Sequence, residues 1–199
     1  MAIWLLLLVL LVAAWALLRV QRLRRTQPSA LPAPRTLFDL RTGDIVQCDG
    51  RDWVVEDRLL YDEDGFQWLE YLLRDGPEAR WLAVCEDDWL EVSWLEQGPP
   101  ALLRQLASAA TPFPDQIHCE GLTYERREEG RASATSSART MNRHLASCRF
   151  ADYEAEGQRV LSVERWNDDE TEVTIGRRID PAALALLPGD GRSVYRPAG

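Results

Sequence analysis

The sequence predicts a mainly β protein, an antiparallel small barrel or curled sheet, preceded by one transmembrane α-helix. Two features carry this prediction. The first is an uncharged apolar run over residues 2–18 at the N-terminus. The second is a series of short stretches rich in Val, Leu, Trp and Tyr, separated by turns that contain Asp and Gly. That alternation is typical of consecutive antiparallel strands.

The N-terminal run is predicted to anchor the chain in the cell membrane. At about 1.5 Å per residue, a helix over residues 2–20 spans nearly the whole hydrocarbon core of about 30 Å. No basic residue precedes the run, whereas four arginines follow it before residue 26. A cleaved secretory signal carries its basic residues in front instead, so we interpret residues 1–25 as an uncleaved anchor. The positive-inside rule then places the N-terminus outside and the C-terminal domain in the cytoplasm.

Composition restricts the partners of the remaining chain. A proline-containing linker is predicted over residues 26–36, then an acidic β-rich domain over residues 37–190 and a tail over residues 191–199. All 32 acidic residues lie beyond residue 38, and the 23 basic residues are all arginine. The missing lysines exclude Schiff-base chemistry and a phosphate-loop lysine. The acidic surface argues against nucleic acid, which binds through cationic contacts to phosphate.

The first half of the domain reads as five short strands. Asp49-Gly50 is a strong signal for a two-residue hairpin. Further turns at residues 62–65, 75–77 and 86–88 separate the strands, which are predicted at residues 44–48, 53–60, 66–74, 80–85 and 89–95. This spacing is typical of a small barrel or curled sheet.

The second half repeats the style after a Gly-Pro-Pro break at residues 98–100. A short helix is predicted over residues 101–110, followed by strands at residues 116–119, 122–128, 145–153, 158–166 and 170–175. Residues 133–140 are interpreted as a polar loop, and Asp180-Pro181 as the start of a short helix that continues to residue 187. No fixed-period repeat is visible, so duplication stays open. The sequence also leaves open whether residues 37–96 and 114–190 form one domain or two subdomains.

Several stretches resemble a known family. They are Thr-Gly-Asp-Ile-Val at residues 42–46, Trp-Val-Val at 53–55, Trp-Leu-Glu-Tyr-Leu-Leu at 68–73 and Leu-Ser-Val-Glu-Arg-Trp at 161–166. Over about residues 37–188 the chain resembles the bacterial domain of unknown function 4178 family. The resemblance implies a β-rich bacterial protein, membrane-anchored in some relatives and often encoded near spermidine-synthase-like enzymes. It transfers no activity and no catalytic residue.

Tryptophans beside carboxylates are the strongest candidates for a binding site. Aromatic faces together with acids suit an amine cation, through the ring quadrupole and Coulomb attraction. Glu70 and Glu164 stand out because each lies in the middle of a predicted strand among aromatic residues. Trp68, Glu70, Glu164 and Trp166 are therefore the predicted ligand-binding residues. The alternative is that the tryptophans fill the core and the strand glutamates face solvent.

The sequence predicts no metal, no cofactor and no catalytic residue. His144 and Cys148, with His118 and Cys119, offer the donor types of a zinc site, but strand spacing would hold them apart. There is no glycine-rich phosphate loop. The preferred function is a membrane-anchored, non-catalytic interaction module acting with a neighbouring membrane protein or enzyme. A polyamine-like cation-binding domain is the alternative, and an enzyme of unrecognised type is the third.

Overall fold

The computed structural model describes residues 34–108, 112–138, 141, 143, 145–166, 170–189 and 191. Within these ranges no helix combines the length and the apolar character needed to cross a membrane. The predicted anchor over residues 2–18, its arginine flank and most of the linker and tail lie outside the described residues. Membrane anchoring therefore stays a prediction.

Strands dominate the described part of the chain. The strands are β1 (Ile45–Cys48), β2 (Arg51–Glu63), β3 (Phe66–Asp75), β4 (Glu78–Glu86), β5 (Leu90–Gln97), β6 (Gln116–Cys119), β7 (Leu122–Ser136), β8 (Ala146–Ala155), β9 (Arg159–Trp166), β10 (Glu170–Arg178) and β11 (Ala185–Leu187). A helix, α1 (Pro100–Ser108), follows β5, and a 3-10 turn (Pro181–Ala183) precedes β11.

Eight of these strands close into an antiparallel barrel. The order around it is β2-β3-β4-β5-β10-β9-β8-β7, and β7 pairs with β2 to complete the ring. β1 and β11 extend the sheet beyond β2, and β6 extends it beyond β7. Closure satisfies the hydrogen-bonding edges that an open sheet would expose. The mainly β prediction is confirmed, and of its two forms the structure has the barrel.

Two local predictions are wrong. Residues 133–136, read as loop because they are polar, belong to β7 and pair with β2, with Leu59 opposite Ser136. Residues 185–187, read as helix, form β11 and pair with β1. Asp180 does cap a turn by accepting from the Ala182 amide, but that turn ends at Ala183. In both places a distant strand supplies backbone hydrogen bonds that local composition does not reveal.

The two halves of the barrel have the same design. In each, a short strand, a two-residue turn and a long bulged strand lead into a three-strand meander. The halves join where corresponding strands pair, β2 with β7 and β5 with β10. Both turns have two residues at positive φ, Asp49-Gly50 and Glu120-Gly121. The bulges lie at equal distances after these turns, between Val55 and Asp57 and between Arg126 and Glu128. The described strands thus fall into two halves of corresponding topology, a repeat that is not visible in the sequence.

Each half packs its outer face against its own elements. Val46, Tyr71 and Leu82 belong to a first core that includes the segment before β1 and residues of β11. Leu102 and Leu106 of α1 belong to a second core with β8, β9 and β10. A third core draws residues from both halves and lies on the opposite face of the strands. It is inside the barrel, because it joins strands that are not neighbours: Trp68 of β3 lies 5.2 Å from Phe150 of β8.

Candidate functional site

The four predicted ligand-binding residues meet inside the barrel, around a residue that the sequence did not single out. Trp68 and Glu70 lie on β3, and Glu164 and Trp166 lie on β9, which is not adjacent to β3. The Tyr61 hydroxyl of β2 lies 3.2 Å from Oε2 of Glu70 and 3.2 Å from Oε2 of Glu164. The Tyr61 ring stacks on Trp68 at 4.9 Å and lies 5.9 Å from Trp166.

Strand register explains why these side chains converge. Tyr61 faces Trp68 directly across the β2–β3 ladder, and Glu70 lies two residues further on the same face of β3. Glu164 reaches the same phenol from across the interior. The only sequence signal for Tyr61 is its place in the period-two pattern of β2, and that pattern does not distinguish a site residue from a core residue.

Both glutamates are buried, which contradicts the alternative that they face solvent. Each is 9% exposed, and Tyr61 is fully buried. Charged carboxylates are rarely buried unless they are paired. Among the described residues, no arginine forms an ion pair with either of them.

Tyr61, Glu70, Glu164 and the nearby Asp152 form an acidic cluster, and burial raises the pKa of its three carboxyls. Burial, together with the charge of Asp152, raises the pKa of Glu70 to about 8. Burial and the neighbouring Glu70 raise the pKa of Glu164 well above its ordinary range. Burial also raises the pKa of Asp152 to about 6. These carboxyls therefore hold protons at pH values where exposed ones are ionised.

A cavity of about 570 Å³ leads from these carboxyls to the turns between β2 and β3 and between β4 and β5. Its lining is acidic and aromatic, and includes Glu63, Glu70, Asp87, Asp88, Glu91, Glu128, Asp152, Glu154, Glu164, Phe66, Trp68, Trp89, Phe150 and Tyr153. Two arginines also line it, and both pair with glutamates: Arg127 with Glu154 at 3.2 Å and Arg178 with Glu91 at 2.8 Å. Phe66 and Trp89 lie exposed at its rim, Trp89 at 67%.

One cation of the chain already occupies an aromatic and acidic setting beside this cluster. The Arg143 guanidinium lies 4.1 Å from the centre of the Trp166 ring. It also donates to Glu170 at 2.8 Å and to Glu172 at 2.7 Å. Its side chain is 12% exposed. The chemistry predicted for an external amine is therefore realised within the molecule by an arginine.

The described residues offer little to a metal ion. They contain no group of three or more His, Cys, Asp or Glu side chains placed to hold one. His118 is exposed, and its Nδ1 lies 2.9 Å from the Thr123 hydroxyl. His144 lies outside the described residues. All four cysteines are free thiols, and Cys148 is buried next to the cluster with its pKa raised by burial.

Comparison with known proteins places the chain in a family. The family model described as a domain of unknown function, DUF4178, matches residues 41–181. The chain belongs to the DUF4178 family. An uncharacterised protein of Mycobacterium tuberculosis is 30% identical over 158 residues, covering 75% of this chain and 72% of that protein. An uncharacterised Aquifex aeolicus protein is 23% identical over 155 residues, covering 75% and 83%. No solved structure matches significantly.

The DUF4178 match includes every residue of the cluster and both strand pairs that join the two halves of the barrel, β2–β7 and β5–β10. Tyr61, Glu70, Asp152 and Glu164 all fall between residues 41 and 181. The barrel and its acidic interior therefore belong to the region that the chain shares with the family.

Proposed function

We propose that this DUF4178 protein is a membrane-anchored binding module whose barrel holds a small organic cation. The observation that carries the proposal is the convergence of two buried carboxyls, Glu70 and Glu164, on one phenol between two indoles. They face an acidic cavity of about 570 Å³, within the usual range of about 300–1,000 Å³ for small-molecule sites.

The energetics favour a cationic occupant. An isolated buried charge costs several kcal/mol, whereas a charge that gains an opposite partner in the same setting recovers much of that cost. A cation over the face of Trp68, which lines the cavity, gains a further ~0.5–2 kcal/mol from the ring quadrupole. An anion would meet only repulsion from the lining, because both lining arginines already pair with glutamates.

Binding of a simple amine tests the proposal. Butylammonium is the probe and 1-butanol is the uncharged control of equal length. We expect butylammonium, but not 1-butanol, to change the tryptophan fluorescence of the full chain in detergent, because Trp68 stacks on Tyr61 beside the two glutamates. Glu164→Gln should weaken binding at least tenfold. Glu156→Gln, the same change at an exposed turn between β8 and β9, should leave binding unchanged. Equal binding by the two variants would contradict the site.

Anchoring rests on a separate observation, the apolar run over residues 2–18 with arginines only behind it. The proposal places the N-terminus outside and the barrel in the cytoplasm. The full chain should stay with membranes after an alkaline wash, and a chain lacking residues 1–33 should not. A reporter that is active only in the cytoplasm should be active when it is fused to the C-terminus. Release of the full chain by the wash would contradict the anchor.

A second candidate makes the cation part of a partner protein, as expected for an interaction module. Trp89 favours it, because this side chain is 67% exposed at the rim of the cavity and follows Asp87 and Asp88. A lysine or arginine of a neighbouring membrane protein or enzyme would then enter the barrel. In that case Trp89→Ala should weaken partner capture from native membranes but leave butylammonium binding intact.

A further inference from the structure

The contact between Tyr61, Glu70 and Glu164 holds one acceptor too many for a single phenol. The Tyr61 oxygen lies 3.2 Å from a carboxyl oxygen of each glutamate. A phenol has one proton to donate, so it satisfies one ionised carboxylate. The second contact is a hydrogen bond only if that carboxyl carries a proton and donates to the phenol oxygen. The geometry is therefore satisfied when one proton resides on the pair.

The charged groups that act on the pair are acidic, and the two arginines of the cavity lining form ion pairs with other glutamates. β8 contributes Cys148 and Asp152, and β10 contributes Glu172. Glu172 forms an ion pair with Arg143. The charge of Glu128 on β7 raises the pKa of Asp152, and the charge of Arg178 lowers it. The other charged groups of the lining are Glu63, Asp87, Asp88, Glu91, Arg127 and Glu154. Among the described residues, no ion pair involves Glu70 or Glu164.

We infer that the barrel exchanges a proton for its cation. The ligand carries a protonated primary or secondary amine that donates to both Glu70 and Glu164, and the proton they share leaves to solvent. The charge balances: a singly ionised pair plus an ammonium becomes a doubly ionised pair plus the same ammonium and one free proton. This inference rests on the proposed function, and it names the class of ligand.

Proton exchange predicts how affinity changes with pH. Burial raises the pKa of both glutamates, so the shared proton is present at neutral pH. Each unit of rising pH lowers the concentration of the competing proton tenfold, so amine affinity should rise about tenfold per unit between pH 6 and pH 7. The rise should flatten only where the free protein has lost the shared proton, and the pH of that bend measures the pKa of the pair. The amine stays charged throughout, because an aliphatic amine titrates near pH ~10.4.

Calorimetry of the full chain in detergent measures the exchange. Butylammonium is titrated at pH 7 in phosphate and in MOPS, neither of which is a primary or secondary amine and whose ionisation enthalpies differ, so that the difference in heat counts the released protons. We expect about one proton per amine for the unaltered protein and for Glu156→Gln, and no heat of binding for the double variant Glu70→Gln/Glu164→Gln, which has neither carboxyl. Binding with no proton release in the unaltered protein would overturn the exchange and leave the proposed function standing.

Infrared spectroscopy tests the shared proton without any ligand. A protonated carboxyl has a carbonyl stretch separate from those of amides and carboxylates. At pH 7 that band should weaken in Glu70→Gln and Glu164→Gln and persist in Glu156→Gln, with circular dichroism showing that each variant is folded. If the band is absent from the unaltered protein, the exchange is wrong whether or not amines bind. A band without amine binding would contradict the proposed function, and the exchange with it.

Discussion

Replacing Glu70 by glutamine should stabilise the empty barrel, and by an amount that depends on pH. The pKa of this carboxyl rises from 4.5 to about 8 in the folded protein, through burial and then through Asp152. Since the folded state binds the proton more tightly than the unfolded state, the free energy of unfolding falls as pH rises from 4.5 to about 8. Below pH 4.5 the carboxyl is protonated in both states and contributes no such cost.

The slope gives the magnitude. A single group with this shift lowers the free energy of unfolding by about 1.4 kcal/mol per pH unit. From 4.5 to pH 7 the loss accumulates to about 3 kcal/mol. Glutamine has the size of glutamate but does not titrate, and its amide still hydrogen-bonds to Tyr61. Glu70→Gln should therefore gain about 3 kcal/mol over the unaltered protein at pH 7 and almost nothing at pH 4.5.

Urea unfolding of the full chain in detergent, followed by tryptophan fluorescence, measures this difference at both pH values. Glu156→Gln is the matched control, because that carboxyl is exposed at a turn and should show no gain at either pH. If Glu70→Gln gains as much at pH 4.5 as at pH 7, or loses stability at pH 7, the assignment of a buried, unpaired carboxyl to Glu70 is wrong.

Two further predictions concern the groups that pack beside the site and those that join the segments flanking β1 and β11. Arg143→Ala should lower the free energy of unfolding by about 2 kcal/mol, because it removes a cation–π contact and two partly buried ion pairs. Arg127→Ala is its control: this side chain is 56% exposed, so its loss should cost under about 1 kcal/mol in the same urea assay. Asp44→Ala should cost about 3 kcal/mol, because its fully buried carboxylate accepts from the amides of Arg41 and Gly189 and pairs with Arg35 at 2.7 Å. Asp115→Ala is its control, at the equivalent position of the second half but with an 88% exposed side chain. Equal losses in the two variants would show that the buried contacts of Asp44 add no stability.

Local chemistry explains how much of the fold could be predicted. Asp49-Gly50 specifies a tight hairpin because few residues adopt positive φ at two successive positions, and the structure has that turn. The Gly-Pro-Pro break and the leucine spacing after it predicted a helix where α1 lies. Residues 133–136 were misread because a polar strand carries no apolar alternation, although its pairing with β2 closes the barrel.

The candidate site divides in the same way. Glu70 and Glu164 were singled out because a carboxylate in the middle of an aromatic strand is unusual, and that reasoning needs only local sequence. Tyr61 was missed, because a tyrosine in an alternating strand is ordinary until its neighbours are known. Its role comes from a contact to β9, 103 positions away in the chain.

The sequence by itself determined the number and order of most strands, the hairpin turns, the acidity of the domain, its family and the unusual glutamates, since each follows from residues close together in the chain. Only the tertiary structure decided that two similar halves close into one barrel, which face of each strand points inward, and that both glutamates share one phenol without an ion pair to any described arginine. Period-two patterning tells which side chains share a face of a strand. It cannot tell which distant strands will meet, and the chemistry of this interior depends on that meeting.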